Sequence, residues 1–300
     1  MDRRERAAGD VAPPSPIRPK LTIPAIRAAK GASPLVMVTA YDAPTARLAS
    51  EAGVDLLLVG DSVGTAVLGY ESTVPVTLDD IVHHCRAVRR GAPDGHVVAD
   101  LPFMSYQVSD EQAVTSAGRL LKEGGADSVK LEGGHRMAAR VAAITAAGIP
   151  VMGHVGLTPQ TAGSLGGLKV QGRDVAGARA VLHDAEAIAA AGAFSIVVEV
   201  VPAELGRLIT ARVPVPTIGI GAGAACDGQV LVAPDLLGLT EGHVPRFVQS
   251  YADLATATRE AFAAYAREVR DRTYPAARHT YAMKPEVLAA LQDDDVSSAP

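Results

Sequence analysis

The chain has 300 residues, of which 48% are hydrophobic and 20% are charged, and its formal net charge is −5. These values are typical of a globular protein with one large domain or two smaller ones. The mild acidity argues against a nucleic-acid partner, which usually requires a basic surface, and no apolar run predicts a membrane-spanning helix or a secretory signal.

Residues 1–20 are charged and rich in proline, so we expect them to be a disordered N-terminal tail. Between residues 21 and 275, short apolar runs alternate with alanine-rich segments, and we expect this region to form a single domain. Residues 276–300 are expected to be a C-terminal tail with no more than a turn or two of helix.

The apolar runs predict about eight strands, at residues 35–40, 55–60, 96–100, 128–132, 150–154, 195–200, 216–221 and 229–233. Because these runs are continuous rather than alternating, they indicate strands covered on both faces, as in a parallel sheet. Eight strand–helix repeats favour an α/β fold of the (β/α)8 TIM-barrel type over an open doubly wound sheet, although a weak last interval leaves a count of seven open.

The segments between the strands have the signals of helix ends. Glycines in SEAGVD, KEGGAD, TAAGIP and AAAGAF stand where a helix commonly stops in the left-handed conformation. Thr77 and Ser109 are N-cap candidates, and Ser109 with Gln112 matches a capping box. Residues 251–272 predict an amphipathic helix that covers the outside of the barrel.

Two aspartates follow neighbouring predicted strands, and barrels of this type keep their chemistry at such strand ends. Asp61 comes after the second strand and Asp100 ends the third. Adjacent strands lie about 4.8 Å apart, so the two carboxylates are expected to converge and to repel unless a cation or a proton lies between them. We favour a Mg²⁺ site with open positions for substrate and water. N-capping or turn chemistry is the alternative.

The fourth and sixth predicted strands also end in charged residues. Lys130 and Glu132 point to one face of their strand, either as a structural ion pair or as an ammonium for an anionic substrate and a carboxylate near the metal. Glu199 stands among aliphatic residues, where desolvation raises the pKa of a carboxyl group and suits a general base. His154, at the end of the fifth strand, has either a structural or a functional role.

Nine short stretches, in one order between about residues 21 and 275, resemble the 3-methyl-2-oxobutanoate hydroxymethyltransferase (ketopantoate hydroxymethyltransferase) family. They are VGDSVG, STVPVTLDD, VVADLPFMSY, VKLEGG, GHVGLTPQ, GGLKVQGR, VVEVVP, IGIGAGAACDGQVLV and GHVPRFVQSY. The resemblance implies a barrel of the phosphoenolpyruvate/pyruvate superfamily. It also implies Mg²⁺, a cytoplasmic location and a homodecamer of two stacked pentameric rings.

The resemblance implies a reaction as well. A hydroxymethyl group passes from 5,10-methylenetetrahydrofolate to 3-methyl-2-oxobutanoate, which gives 2-dehydropantoate in the first step of pantothenate and coenzyme A biosynthesis. By the same resemblance, Asp61 and Asp100 bind the metal beside the keto acid, and Glu132 lies close to the metal and its waters. Whether Glu132 binds directly or through water stays open.

The remaining site residues follow from the same motifs. Ser62 and Lys130 are expected to contact the keto acid, His154 to form part of its pocket, and Glu199 to remove the C3 proton. The keto acid can chelate Mg²⁺ through its carboxylate and ketone oxygens, so that the metal stabilises the enolate that attacks the one-carbon unit.

Three alternatives stay open at this point. A Schiff-base aldolase would use Lys130, but the aspartate pair argues against it. A Mg²⁺-dependent lyase of the isocitrate lyase type requires a catalytic cysteine on a mobile loop after a central strand, whereas Cys85 falls in a predicted helix and Cys226 comes late in the chain. A non-catalytic sensor of keto acid or folate has no use for a base at Glu199.

Overall fold

The structure is a computed structural model that describes residues 20–242 and 244–297. The predicted N-terminal tail, residues 1–20, therefore lies outside the described residues except for Lys20. The described chain separates into one compact unit that extends to Tyr251 and a second that begins at Ala252. The predicted domain bounds of 21–275 stay a prediction.

Eight parallel strands close into a barrel in chain order, and the last strand pairs with the first. This confirms the (β/α)8 prediction and settles the strand count in favour of eight. The strands are β1 (Leu35–Thr39), β2 (Leu56–Val59), β3 (His96–Asp100), β4 (Ser128–Glu132), β5 (Val151–Gly156), β6 (Ser195–Glu199), β7 (Thr217–Ile220) and β8 (Gly228–Leu231).

One helix precedes β1, and the other helices come after β1 in the chain. They are α1 (Ile23–Ala28), α2 (Ala43–Glu51), α3 (Val63–Ala66), α4 (Leu78–Gly91), α5 (Asp110–Lys122), α6 (Ala138–Ala146), α7 (Val175–Ala190), α8 (Ala203–Arg212) and α9 (Ala233–Leu236). The second unit contains α10 (Leu254–Arg270) and α11 (Pro285–Ser297). Among the described residues, no helix has both the length and the apolar character to cross a membrane.

The predicted helix at 251–272 is present as α10, and none of its residues is buried. That this helix covers the barrel stays a prediction. At the C-terminus the prediction was too short, since α11 spans 13 residues rather than one or two turns.

The helix-end signals are confirmed with one correction. One glycine in each of the four motifs has positive φ, namely Gly53, Gly125, Gly148 and Gly192. Thr77 caps α4 in a full capping box with Asp80. Ser109 caps α5 by accepting a hydrogen bond from the backbone N–H of Gln112. The predicted reciprocal bond is absent, because the Gln112 side chain accepts from the backbone N–H of Val108 and donates to the carbonyl of Met104.

Alternate residues of the strands point into the barrel, and the residues between them face the helices. Buried apolar side chains on the strands form one cluster inside, which includes Leu56, Leu58, Val98, Met152, Val197, Ile218 and Val230. A larger cluster packs the outer faces of the strands against the helices, and includes Leu57, Val59, Val97, Ala99, Val129, Leu131, Val151, Val155, Ile196 and Val198. The outer layer therefore fixes which residues point inward.

The inward side chains become polar toward the carboxyl ends of the strands. Asp100 lies two residues after the inward-facing Val98 on β3. In the same way, His154 lies two residues after Met152 on β5, and Glu199 lies two residues after Val197 on β6. On β4, Lys130 and Glu132 occupy the inward positions. The sheet register pairs Asp100 with Lys130 and Glu132 with His154, so these groups become neighbours across strands.

The capping box of α4 gives a test of local stability. Thr77→Ala removes the hydroxyl that accepts from the backbone N–H of Asp80, and we expect the free energy of unfolding to fall by about 1 kcal/mol in urea titrations. Thr77→Ser keeps a hydroxyl at the same position and should match the wild-type protein. Equal losses in both variants would show that the methyl group, and not the cap, is responsible.

Candidate active site

A cavity of about 100 Å³ opens inside the barrel at the carboxyl ends of the strands. Its wall includes all seven residues that the sequence predicts for the site, namely Asp61, Ser62, Asp100, Lys130, Glu132, His154 and Glu199. Side chains from β3 to β6 and from the turn after β2 therefore meet in one place, as a barrel interior allows.

The two predicted aspartates come together at this cavity. Asp61 lies in the turn after β2, and its backbone N–H donates to Oδ2 of Asp100 over 3.0 Å. The turn is tight at Gly60, where a Cβ atom would lie 2.8 Å from the Ser62 hydroxyl and 3.4 Å from Oδ2 of Asp100. A glycine therefore lets the Asp61 backbone reach the neighbouring strand.

Burial and mutual repulsion raise the pKa values of the Asp61 and Glu132 carboxyl groups. Burial, followed by the charge of Asp100, raises the pKa of Asp61 to about 7. Burial and the charge of Asp61 likewise raise the pKa of Glu132 well above its ordinary value. Both groups are only 4% exposed, so water does little to relieve the repulsion.

Lys130 is the cation at the centre of this group. Its ammonium lies 2.8 Å from Oδ1 of Asp100, on the adjacent strand, so the ion pair crosses strands rather than joining Lys130 to Glu132. Burial alone would lower the pKa of Lys130, but the carboxylates of Asp100, Glu132 and Asp61 outweigh burial and raise it. The ammonium therefore stays charged.

The charge on Lys130 fixes the state of His154. Nζ of Lys130 lies 3.2 Å from Nδ1 of His154, and because an ammonium can only donate, Nδ1 is the acceptor. Burial and the nearby ammonium both lower the pKa of His154, which keeps the imidazole neutral. Its hydrogen is then on Nε2, which lies 3.2 Å from Oε2 of Glu199. A neutral imidazole thus links the cation to the predicted base.

Glu199 differs from its prediction in its surroundings. The sequence indicates a carboxylate enclosed by aliphatic residues, whereas the side chain is 16% exposed at the cavity mouth. The apolar neighbours Val198 and Val201 belong to the outer cluster, on the other side of the sheet. The predicted role as a base therefore depends on position beside His154 rather than on complete burial.

The backbone around Glu199 is unusual. Val200 has φ of 47°, although a β-branched residue rarely adopts the left-handed region. Its N–H donates to the carbonyl of Ile220 over 2.8 Å, and its carbonyl accepts from the N–H of Gln171 over 2.9 Å. Such strain is found preferentially at functional sites.

Ser62 is the N-cap residue of α3, and its hydroxyl lies 2.8 Å from the hydroxyl of Tyr41. Burial raises the pKa of Tyr41, so its phenol keeps its proton. Ser62 and Tyr41 therefore form a neutral hydrogen-bonding pair beside the charged groups.

Sequence reasoning missed Gln160, which joins two of the carboxylates. Its Nε2 donates to Oδ2 of Asp61 and its backbone N–H donates to Oε2 of Glu132, over 2.9 and 3.0 Å. Its Oε1 accepts from the hydroxyl of Tyr106 over 2.8 Å, and that hydroxyl also lies 2.8 Å from the carbonyl of Glu132. Gln160 stands in the motif GLTPQ, but nothing in that motif indicates which loops it crosses.

The charges of the site favour a divalent cation. Three buried carboxylates, Asp61, Asp100 and Glu132, face one ammonium, Lys130, so two negative charges are uncompensated when all are ionised. Buried carboxylate oxygens are the ligands that Mg²⁺ prefers, and this donor set fits that ion. The three do not all approach within the 4.8 Å that would let them share one ion directly.

Within the described ranges, one group of three acidic or histidine side chains does reach that spacing, and it consists of His135, His183 and Asp184. Sequence reasoning did not identify this group. Oδ1 of Asp184 accepts from the backbone N–H of His135 over 2.8 Å and lies 2.6 Å from Nδ1 of the same residue. The ring of His183 lies 5.1 Å from that of His135, so the three side chains contact one another.

Comparison with known sequences identifies close relatives. A family model described as ketopantoate hydroxymethyltransferase matches residues 20–277. The 3-methyl-2-oxobutanoate hydroxymethyltransferase of Carboxydothermus hydrogenoformans is 53% identical over 91% of this chain and 99% of its own. That of Moorella thermoacetica is 56% identical over 88% of this chain and 98% of its own.

Comparison with solved structures identifies the same fold at low sequence identity. A phosphonopyruvate hydrolase in complex with oxalate and Mg²⁺ is 16% identical and covers 93% of this chain and 97% of its own, with a TM-score of 0.57. A 2,3-dimethylmalate lyase, a member of the PEP mutase/isocitrate lyase superfamily, is 17% identical, covers 92% and 99% of the two chains, and has a TM-score of 0.54.

Gln160 provides a test of the predicted metal site. Gln160→Met keeps the length of the side chain but removes the donor to Asp61, and we expect the affinity for Mg²⁺, measured by calorimetry, to fall about 10- to 100-fold. Gln229→Met, at an exposed position of β8, is the matched control and should bind as the wild type does. Unchanged Mg²⁺ binding in Gln160→Met would exclude a supporting role for this amide.

Proposed function

The chain belongs to the ketopantoate hydroxymethyltransferase family, and we propose that its barrel transfers a hydroxymethyl group from 5,10-methylenetetrahydrofolate to 3-methyl-2-oxobutanoate. Ketopantoate hydroxymethyltransferase activity is the first step of pantothenate biosynthesis. The observation that best supports a role for the described site is the chain of contacts from Asp100 through Lys130 and His154 to Glu199. It places a cation, a neutral donor and a carboxylate around one small cavity.

Asp61 and Asp100 are the residues that would hold Mg²⁺, and Glu132 would lie close to it. Glu132 lines the same cavity as these two aspartates. When bound, the ion supplies a Lewis acid that polarises the ketone of the substrate. Gln160 keeps the carboxylates of Asp61 and Glu132 in place by donating to each of them.

Lys130 and Ser62 bind the keto acid in this proposal. The Lys130 ammonium lines the cavity and keeps its charge, so it attracts the carboxylate of the substrate. The Ser62 hydroxyl can donate to a substrate oxygen while it accepts from the phenol of Tyr41. Two contacts at one end of the substrate restrict its orientation, which accelerates the step that follows.

Glu199 is the base. Its carboxylate accepts the proton from C3 of the keto acid, and the electrons of that C–H bond form the enolate. C3 then bonds to the methylene carbon, whose two bonds to folate nitrogens break, and water supplies its hydroxyl group. The C3 proton and the second proton of water end on the two nitrogens of the departing tetrahydrofolate. Nε2 of His154 lies 3.2 Å from Oε2 of Glu199, and the Lys130 ammonium prevents His154 from taking the proton itself.

The two enzyme alternatives have less support from the cavity. Cys85 is buried in α4, where burial raises its pKa to about 12, and Cys226 is buried after β7. Neither residue is part of the described cavity wall, so neither supplies the cysteine that an isocitrate-lyase-type reaction requires. Lys130 pairs with Asp100 and keeps its charge, which does not suit a Schiff-base nucleophile.

We also propose a cytoplasmic homodecamer of two stacked pentameric rings, on the strength of family membership. The exposed apolar side chains of α10 support assembly, since Phe262 is 70% and Tyr265 is 57% exposed. Exposed apolar surface of this kind commonly marks a protein interface.

The test is a proton-exchange assay. The protein is incubated with 3-methyl-2-oxobutanoate in D₂O, with Mg²⁺ or with a chelator, and the C3 proton is followed by NMR, with and without tetrahydrofolate. We expect exchange that depends on Mg²⁺ and that falls by about 10²–10⁴-fold in Glu199→Gln, because a placed base contributes this much. Glu204→Gln, at an exposed position in the first turn of α8, is the matched control.

The outcomes of this assay distinguish the proposed base, the enolisation step and the metal requirement from one another. Full exchange in Glu199→Gln would assign the base to another residue. No exchange in the wild-type protein under any of these conditions would contradict enolisation at this site and favour a keto acid or folate sensor. Exchange that persists in the presence of the chelator would show that removal of the C3 proton does not require a metal ion.

A further inference from the structure

We propose that Thr73 is a further substrate-binding residue, whose hydroxyl donates a hydrogen bond to an oxygen of the bound 2-keto acid. This inference depends on the proposed function of the cavity. Thr73 lies between α3 and α4 in the stretch STVPVTLDD, and no residue of that stretch has a role in the proposed reaction. It lines the 100 Å³ cavity together with Ser62, Lys130 and Glu199.

Thr73 is the residue that this loop turns inward. It is 7% exposed, whereas Ser72 before it is exposed and the apolar Val74 after it is 44% exposed. Apolar packing alone would favour the opposite arrangement, because burying an aliphatic side chain is favourable and burying an unpaired hydroxyl is not. The arrangement therefore favours a role for the hydroxyl inside the cavity.

The Thr73 hydroxyl has no hydrogen-bond partner in the part of the chain that the structure describes. Two other buried side-chain atoms share this property there, namely Oδ1 of Asp100 and Nε2 of His154, and both residues line the same cavity. Each of those atoms nevertheless faces an ionic group, Lys130 at 2.8 Å or Glu199 at 3.2 Å. Leaving a buried hydroxyl unpaired is costly, and an acceptor oxygen in the cavity would remove that cost.

Thr39 shows what a structural threonine does in the same cavity wall. Its hydroxyl accepts a hydrogen bond from the backbone N–H of Ala233 over 2.9 Å, so the protein itself satisfies it. The Thr73 hydroxyl makes no comparable bond with the described residues. Of these two threonines, Thr73 is therefore the one whose hydroxyl is available to a ligand.

The loop that carries Thr73 is held against α3. The backbone N–H of Val76 donates to the carbonyl of Thr73 over 3.1 Å. A Cβ atom at Gly64, in α3, would lie 2.6 Å from Cγ2 of Val76, so glycine allows the helix and the loop to pack closely. Because Ser62 is the N-cap of the same helix, this packing connects the two hydroxyl groups that line the cavity.

The chemistry of the keto acid requires donors. Its anion has carboxylate and ketone oxygens that accept hydrogen bonds, and it has no N–H or O–H group. The Lys130 ammonium has three hydrogens, and two of them are directed at Asp100 and His154, which leaves one for the substrate. Ser62 contributes one more. The Thr73 hydroxyl adds a donor that does not have to give up a partner within the described chain.

The experiment combines calorimetric titration of 3-methyl-2-oxobutanoate in the presence of Mg²⁺ with kcat, the KM for each substrate and Tm. Thr73→Val removes the hydroxyl and keeps the shape of the side chain, whereas Thr73→Ser keeps the hydroxyl. Thr115→Val, at an exposed position of α5, is the matched control. The titration is repeated with 2-oxobutanoate, which has the same oxygens but lacks one methyl group of the branch.

We expect Thr73→Val to bind both keto acids about tenfold more weakly or worse, because a hydrogen bond to a charged group is lost. The KM for the keto acid should rise in parallel, while the KM for methylenetetrahydrofolate stays the same. Thr73→Ser and Thr115→Val should bind as the wild type does. The Tm of Thr73→Val should equal or exceed that of the wild type, because the substitution removes a buried hydroxyl that has no partner among the described residues.

Wild-type affinity in Thr73→Val would overturn the proposal. An equal loss in Thr73→Ser would also overturn it, since the hydroxyl would then not be responsible. A loss for 3-methyl-2-oxobutanoate alone would place the contact at the branch rather than at an oxygen, and a lowered Tm in Thr73→Val would indicate a structural role. A wild-type protein that binds the keto acid without turning it over would contradict the proposed function alone, because the titration requires no turnover.

Discussion

The ion pair between Lys130 and Asp100 is the interaction on which the other site contacts depend. Both side chains are almost completely buried, and an unpaired charge at that depth is strongly destabilising. The ammonium limits the repulsion among Asp100, Asp61 and Glu132, and it also makes Nδ1 of His154 an acceptor. One cation therefore determines both the charge of the carboxylate cluster and the tautomer that faces Glu199.

The outer apolar layer keeps this cation inside the barrel. On β4, Val129 and Leu131 pack against the helices, so Lys130 and Glu132 must point inward. A shift of the strand by one residue would place the ammonium in that apolar layer and two aliphatic side chains in the cavity. The packing of Val129 and Leu131 against the helices therefore fixes the sheet register that pairs Asp100 with Lys130.

The sequence predicts the strand-end residues well because strand position and side-chain direction follow from local patterns. Asp100 and Lys130 are adjacent once consecutive strands are taken as neighbours. Gln160 and Asp184 could not be found in this way, since each acts across loops whose path depends on the whole fold. The burial of Glu199 was overestimated because its aliphatic neighbours face the helices and leave the carboxylate at the cavity mouth.

The backbone on both sides of Glu199 restricts which residues the chain can use there. Val200 adopts a left-handed conformation that costs about 1–3 kcal/mol, and it is held there by hydrogen bonds to Ile220 and Gln171. On the neighbouring strand, a Cβ atom at Gly156 would overlap the carbonyl of Glu199, so that position also requires glycine. One strained residue and one close approach that requires glycine thus lie beside the same carboxylate. Both features are expected if the backbone has to direct the Glu199 carboxylate toward His154.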